Sequence, residues 1–171
     1  YYLYEVIPPL MNFDDELTNW NVRPNRKRFW KEKGIDDIDK INAFKTLHEV
    51  LLEFNKAMAP VLPFICEKIY QGLVDEVKTS IHYCDYPESN SELIDKNLEE
   101  SVELAKKIIK SVRNLRVKLK LPNKQPLNSI TVISDSKNII RQINSIGNLI
   151  KNEVNIKEIE IDKNIEDWID Y

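Results

Sequence analysis

Within the twelve residues 19–30 stand an amide, two tryptophans and four cations: Asn19, Trp20, Arg23, Arg26, Lys27, Arg28 and Trp30. An amide beside a guanidinium can read the edge of a base and hold a phosphate. The indole rings of Trp20 and Trp30 either stack on unpaired bases or fill a core, and aromatic side chains more often do the second. Residues 13–18 ahead of them are acidic and apolar, which suits the body of an amphipathic helix. If that helix persists to Arg23, then Asn19 and Arg23 lie four apart on one face. Lys31 and Lys33 extend the basic cluster to six cations in eleven residues. This composition points to contact with RNA.

A second basic stretch carries the same implication. Residues 104–134 contain no Asp or Glu, while Lys106, Lys107, Lys110, Arg113, Arg116, Lys118, Lys120 and Lys124 supply eight positive charges. On a helix, Lys106, Lys110, Arg113, Arg116 and Lys120 gather within about a third of the circumference, opposite a stripe of Leu104, Ile108, Val112, Leu115 and Leu119. Most such charge runs are simply solvated, but solubility alone would intersperse the two signs. A run of cations with no balancing carboxylate is the footprint a polyanion needs. It would add affinity and salt dependence, with little sequence reading.

Other residues capable of chemistry find no support around them. His82 and Cys84 stand near Asp85, yet no third group or oxyanion donor accompanies them, so nucleophilic catalysis is not assigned. His48 falls on the inner side of a helical stripe and reads as a hydrogen-bonded core residue. Cys66 and Cys84 lack metal-ligand spacing and read as reduced thiols. The glycines are Gly34, Gly72 and Gly147, which cannot form a phosphate loop, and no hydrolase or metalloprotease motif appears. The chain reads as a binding module with no catalytic residue, no metal site and no cofactor of its own.

A chain of 171 residues allows one substantial core and a small appendage. Its 42% hydrophobic and 31% charged residues are those of a soluble globular protein, and its net charge of −3 gives no global basic character. No apolar run approaches membrane-spanning length and the N-terminus is not a signal peptide, so a cytoplasmic setting without membrane attachment is expected. The chain opens without Met and in mid-pattern, as a piece of a longer protein would.

The elements that must position these residues follow from spacing. A first helix is expected from about Pro8 to Arg23, with Leu10, Phe13, Leu17 and Trp20 on its apolar side and Pro24 stopping it. A second runs from about Asp36 or Asp37 to Met58, with Ile41, Phe44, His48, Leu51 and Met58 on one stripe. A third begins near Pro63, and residues 81–87 form an extended link. The fourth spans about Asp95 to Leu121. After a proline-containing connection, residues 129–133 and 156–161 read as strands around a helix at 136–152, a strand–helix–strand unit. The expected fold is mainly α, a helical bundle of about four helices over residues 1–122, with a small α/β appendage over 123–171. The terminal residues 166–171 either dock or fray.

Several of these segments resemble one family. NWNVRPNRKRFW at 19–30 resembles the NWYVRRNRRRFW signature that opens the anticodon-binding helical domain of class I isoleucyl-tRNA synthetases. Pro24 departs from it, standing where the family has a basic residue. AFKTLHEVL at 43–51, MAPVLPFICEKIY at 58–70 and SIHYCDYP at 80–87 are similar to further stretches of that domain, as are KQPL at 124–127 and VNIKEIEI at 154–161. The resemblance covers nearly the whole chain. It implies a tRNA-binding fragment of an isoleucine–tRNA ligase, whose anticodon-binding domain grips the anticodon stem-loop of tRNA(Ile). The parent enzyme would use ATP and magnesium in its catalytic domain and would also carry an editing domain, so the fragment itself is expected to be inactive, and monomeric. The residues this implies for RNA binding are those of the two basic stretches: Asn19, Trp20, Arg23, Arg26, Lys27, Arg28, Trp30, Lys106, Lys110, Arg113, Arg116 and Lys120. The competing readings are a valyl-tRNA synthetase anticodon domain and a helical protein–protein interaction module that binds no RNA.

Overall fold

The computed structural model describes residues 2–30, 37–74 and 79–164. Lys31, Lys33, Gly34, Asp36 and the terminal segment 166–171, all named above, lie outside the described residues. The fold is mostly helical, with one two-stranded parallel sheet. Chain contacts divide it into two compact units, Tyr1–Ser89 and Asn90–Tyr171. The long basic helix thus falls in the second unit with the strands, whereas spacing had grouped it with the helices before it.

In the first unit, α1 (Leu3–Glu16) opens before Pro8 rather than at it, so that Pro8 and Pro9 lie inside the helix. Each proline removes a donor from the ladder there. The helix then runs into a π-helical stretch, Leu17–Val22, in which the Arg23 amide donates to Thr18 O at 3.1 Å, five residues back. Pro24 ends it, and a short helix not expected from spacing follows, α2 (Arg26–Trp30). Its buried Phe29 meets Phe44 edge to face, ring centroids 5.1 Å apart.

Phe44 belongs to α3 (Ile38–Met58), which opens on Asp37, whose carboxylate accepts from the amides of Asp39 and Lys40. Its inward side runs through Ala43, Leu47, Val50, Phe54, Asn55 and Met58, while Ile41 and Phe44 are well exposed. His48 is therefore not a core residue. It is exposed at the helix edge, where Nε2–H donates at 2.8 Å to the carbonyl of Leu73. That carbonyl ends α4 (Pro63–Leu73) and has no partner within its own helix.

The core of this unit gathers Met58, Ala59, Cys66 and Ile81, with Leu10, Phe54 and Tyr70 packed against them. Phe13 leans on Phe54 at 5.3 Å between centroids. Residues 81–87, expected as an extended link, open with a 3-10 turn, Ile81–Tyr83. The turn is tied to α4 through Glu67, whose Oε2 accepts from Ser80 Oγ at 2.8 Å and from the Ile81 amide at 2.9 Å. These bonds, the serine's first, hold the Glu67 carboxyl below its ordinary range. Burial pushes the Cys66 thiol up.

The second unit begins with α5 (Lys96–Lys118), capped by Asp95, whose side chain accepts from the Leu98 amide. β1 (Leu127–Ile133) and β2 (Ile156–Asp162) pair in parallel, Leu127 opposite Ile156 and Ile133 opposite Asp162, with α6 (Lys137–Val154) between them in the chain. Parallel pairing requires such a crossover. The fully buried side chains Ile109, Ile143, Ile150 and Val154 make the center of its core.

The face that α5 buries is not the expected one. Its buried residues are Ser101, Ala105, Ile109, Val112 and Arg116, while Leu115 and Leu119 are more than half exposed. The buried stripe is rotated by roughly 60° from the leucine stripe, at about 100° per residue. Ile108, Leu115 and Leu119 instead line an open apolar groove of about 510 Å³ beside β1.

Candidate nucleic-acid interface

The first basic stretch is displayed around a break in helical geometry. Asn19 and Trp20 sit within the π-helical stretch and Arg23 closes it. Asn19 is exposed, and its Nδ2 donates to Asp15 O at 2.9 Å, which leaves its amide oxygen as an acceptor. Arg23, Arg26 and Lys27 are exposed and Trp20 is half-buried. The Arg26 guanidinium lies over the Trp30 ring, 4.9 Å from its centroid, and the ring is 65% exposed. A guanidinium stacked this way keeps its in-plane N–H groups for a phosphate. Of the two tryptophans, Trp30 is thus at the surface rather than in a core.

Arg28 differs from its neighbors. Its Nη2 and Nε donate to the two carboxylate oxygens of Asp39 at 2.7 and 3.0 Å, and its Nη1 to Asn25 Oδ1 at 3.2 Å. The hydrogen bond to Asp39 holds its pKa up. This fork ties α2 to the start of α3, so Arg28 positions the stretch more than it extends the free basic surface. Asp39 belongs to the acidic cluster expected at the start of α3, but nothing in the sequence pairs it or Asn25 with Arg28. A carboxylate eleven residues away leaves no local signal.

On the second stretch the cations divide. Lys110 and Lys120 are exposed. Lys106 Nζ donates to Glu103 Oε1 at 2.6 Å. Arg113 turns inward to Glu153, with Nη2 2.7 Å from Oε2. Arg116 is only 3% exposed, and its guanidinium donates to four carbonyls: Pro122 at 3.1 Å, Gln125 at 3.1 Å, Val154 at 2.8 Å and Asn155 at 3.3 Å. Two of these belong to the end of α6, where unpaired carbonyls and the helix dipole favor a cation. Arg116 therefore shapes the connection and presents no charge to solvent. Its burial follows from the rotation of α5.

Asn155, not anticipated as important, completes this arrangement. It adopts the left-handed conformation that ends α6, and its Nδ2 donates to Asn123 O at 3.2 Å and Lys124 O at 3.0 Å. An asparagine just past the last apolar residue of a helix is a legible signal for that conformation.

Among the described residues there is no group of three or more His, Cys, Asp or Glu that could hold a metal ion. No described helix is long and apolar enough to cross a membrane.

A family model described as the anticodon-binding domain of tRNA ligase matches residues 1–134. Among curated proteins, the isoleucine–tRNA ligase of Clostridium novyi is 37% identical over 100% of this chain. That of Clostridium acetobutylicum is 35% identical over 95% of the chain, and that of Chlamydia trachomatis 37% over 93%. The chain spans only 15–16% of the length of these relatives.

Proposed function

The chain belongs to the anticodon-binding domain family of tRNA ligases, and from that premise we propose that it holds the anticodon stem-loop of tRNA(Ile) as part of an isoleucine–tRNA ligase. The observation that carries this reading is the exposed set Asn19, Arg23, Arg26, Lys27 and Trp30 around the π-helical stretch. It combines an amide acceptor, free cations and a ring face, which together suit the unstacked bases and phosphates of an RNA loop. Lys110 and Lys120 add phosphate contacts from the second unit, while Arg28, Arg113 and Arg116 position the elements that carry the others. In the parent enzyme, isoleucine would be joined to the tRNA with ATP in a separate catalytic domain, beside an editing domain. This chain, acting as a monomer, would supply tRNA binding and have no ligase activity alone.

The test is binding of a labeled tRNA(Ile) anticodon stem-loop to the 171-residue chain, against a scrambled-loop control, at two salt concentrations. Loop-dependent binding that weakens with salt is expected. Equal binding to both loops would reduce the reading to phosphate attraction, and no binding to either would overturn it.

A further inference from the structure

Two non-glycine residues among those described have positive φ, Lys120 at 56° and Asn155 at 52°, and both flank the turn 122–125. Asparagine tolerates this conformation; lysine gains nothing from it. Lys120 stands just beyond the end of α5, where its amide donates to Val117 O at 3.1 Å and that of Leu121 to Arg116 O at 2.8 Å. Helices that end with this pair of bonds usually place glycine there. A strained lysine where glycine would be relaxed suggests that its side chain is used.

The turn itself is fixed from within. All four carbonyls from Pro122 to Gln125 accept from buried or half-buried side chains, the outer two from Arg116 and the inner two from Asn155. These backbone acceptors, which would repel a phosphate, are thereby already engaged, those of Pro122 and Gln125 in part-buried bonds. The side chains of Lys120, Asn123, Lys124 and Gln125 are exposed. They present two cations and two amides on a backbone already ordered, so little further ordering is needed on binding.

We propose that the turn 120–125 is a preformed RNA contact, Lys120 and Lys124 taking backbone phosphates and the Asn123 and Gln125 amides facing a base edge. This rests on the tRNA-binding reading above, which already includes Lys120, and extends it to a defined turn with roles for Asn123, Lys124 and Gln125.

The experiment measures stem-loop binding by the 171-residue chain and its variants Lys120→Gly, Lys124→Ala and Asn123→Ala/Gln125→Ala across a salt series, with thermal melting of each. Lys120→Gly relieves the strained φ, so it melts at the same temperature or higher. It nevertheless binds about fivefold more weakly near 0.1 M salt, with a salt slope shallower by about 0.7, the contribution of one phosphate on a single strand. Lys124→Ala behaves alike. The double amide variant weakens binding without changing the slope. If the wild type binds, Arg23→Ala weakens it and the turn variants all match wild type in affinity and slope, the turn is no contact and only this inference falls. If the wild type binds no RNA, the tRNA-binding reading fails and takes this inference with it.

Discussion

The two basic stretches look alike as sequence and are used in opposite ways. Around residues 23–30 the cations point outward: Arg23 and Lys27 are exposed and Arg26 lies on an exposed tryptophan. Along α5 the arginines point inward, to Glu153 and to four carbonyls, and Lys107, Lys110 and Lys118 remain at the surface. The difference lies in what each stretch packs against. α5 lies against α6, whose C-terminal carbonyls attract cations. Among the described residues of the first stretch, it is Arg28 that is held by a carboxylate, at Asp39. Charge density alone does not identify a polyanion surface; the acceptors folded beneath it decide how much charge is left to offer.

The sharpest test of that contrast is Arg116→Ala. Four carbonyls lose a charged donor in a site where water cannot easily replace it, and the expected loss is about 3 kcal/mol or more of stability, read from urea unfolding. Hydrogen exchange should locate the damage at the end of α6 and at β1 paired with β2. The Nε groups of Arg113 and Arg116 are buried without an acceptor, so the benefit comes from the terminal nitrogens. Arg116→Lys should rescue little, since one ammonium cannot reproduce the planar fork. A small loss for Arg116→Ala would mean that this arginine is not the anchor the geometry makes it.

Asn155→Ala tests the same turn with a smaller effect. It removes the donor to Asn123 O and Lys124 O and places alanine at φ 52°. A loss of about 1–2 kcal/mol is expected in the same unfolding experiment. Asn155→Gly removes the donor but suits the backbone, so it should fall between wild type and alanine.

The first unit has a polar anchor of another kind, and pH exposes it. Glu67 accepts from Ser80, Ile81 and Gln71, and its carboxyl is held below the ordinary value of 4.5. A carboxylate with a lowered folded pKa stabilizes fully above its unfolded value and loses that contribution as pH falls through the folded one. Urea midpoints of wild type and Glu67→Gln should therefore differ at pH 7 and converge on acidification below about pH 4. A constant difference across that range would show that the bonds do not depend on the ionized form.

Much of this architecture was legible beforehand. Asp37 and Asp95 announced the starts of α3 and α5, and the β-branched runs at 129–133 and 156–161 announced the strands. The rotation of α5 was not, because counting leucines as inward and arginines as outward inverts Leu115 and Arg116. Burial there follows the carbonyls of a helix about forty residues on. The π-helical stretch and the left-handed Lys120 carry no local signature either, since both are imposed by tertiary context. In the candidate site, the kinds of residue could be read from the sequence, but which cations stay free could not. Arg28 and Arg113 are claimed by Asp39 and Glu153, and no pattern along the chain links those partners.

The mildest substitution draws the comparison most finely. Arg28 and Arg116 are both guanidiniums with several acceptors, but the Arg28 side chain is 40% exposed and that of its partner Asp39 62%. Water and salt screen such a pair, and exposed ion pairs typically contribute about 0.2–1 kcal/mol. Arg28→Ala should thus shift the unfolding midpoint only slightly. In a double-mutant cycle with Asp39→Ala, the coupling should shrink further at high salt. Because Arg28 ties α2 to α3, the same variant should still disturb RNA binding, by loosening the presentation of Arg26 and Trp30. An Arg28→Ala loss as large as that of Arg116→Ala would erase the distinction between the stretches, because exposure would then no longer decide what a guanidinium contributes.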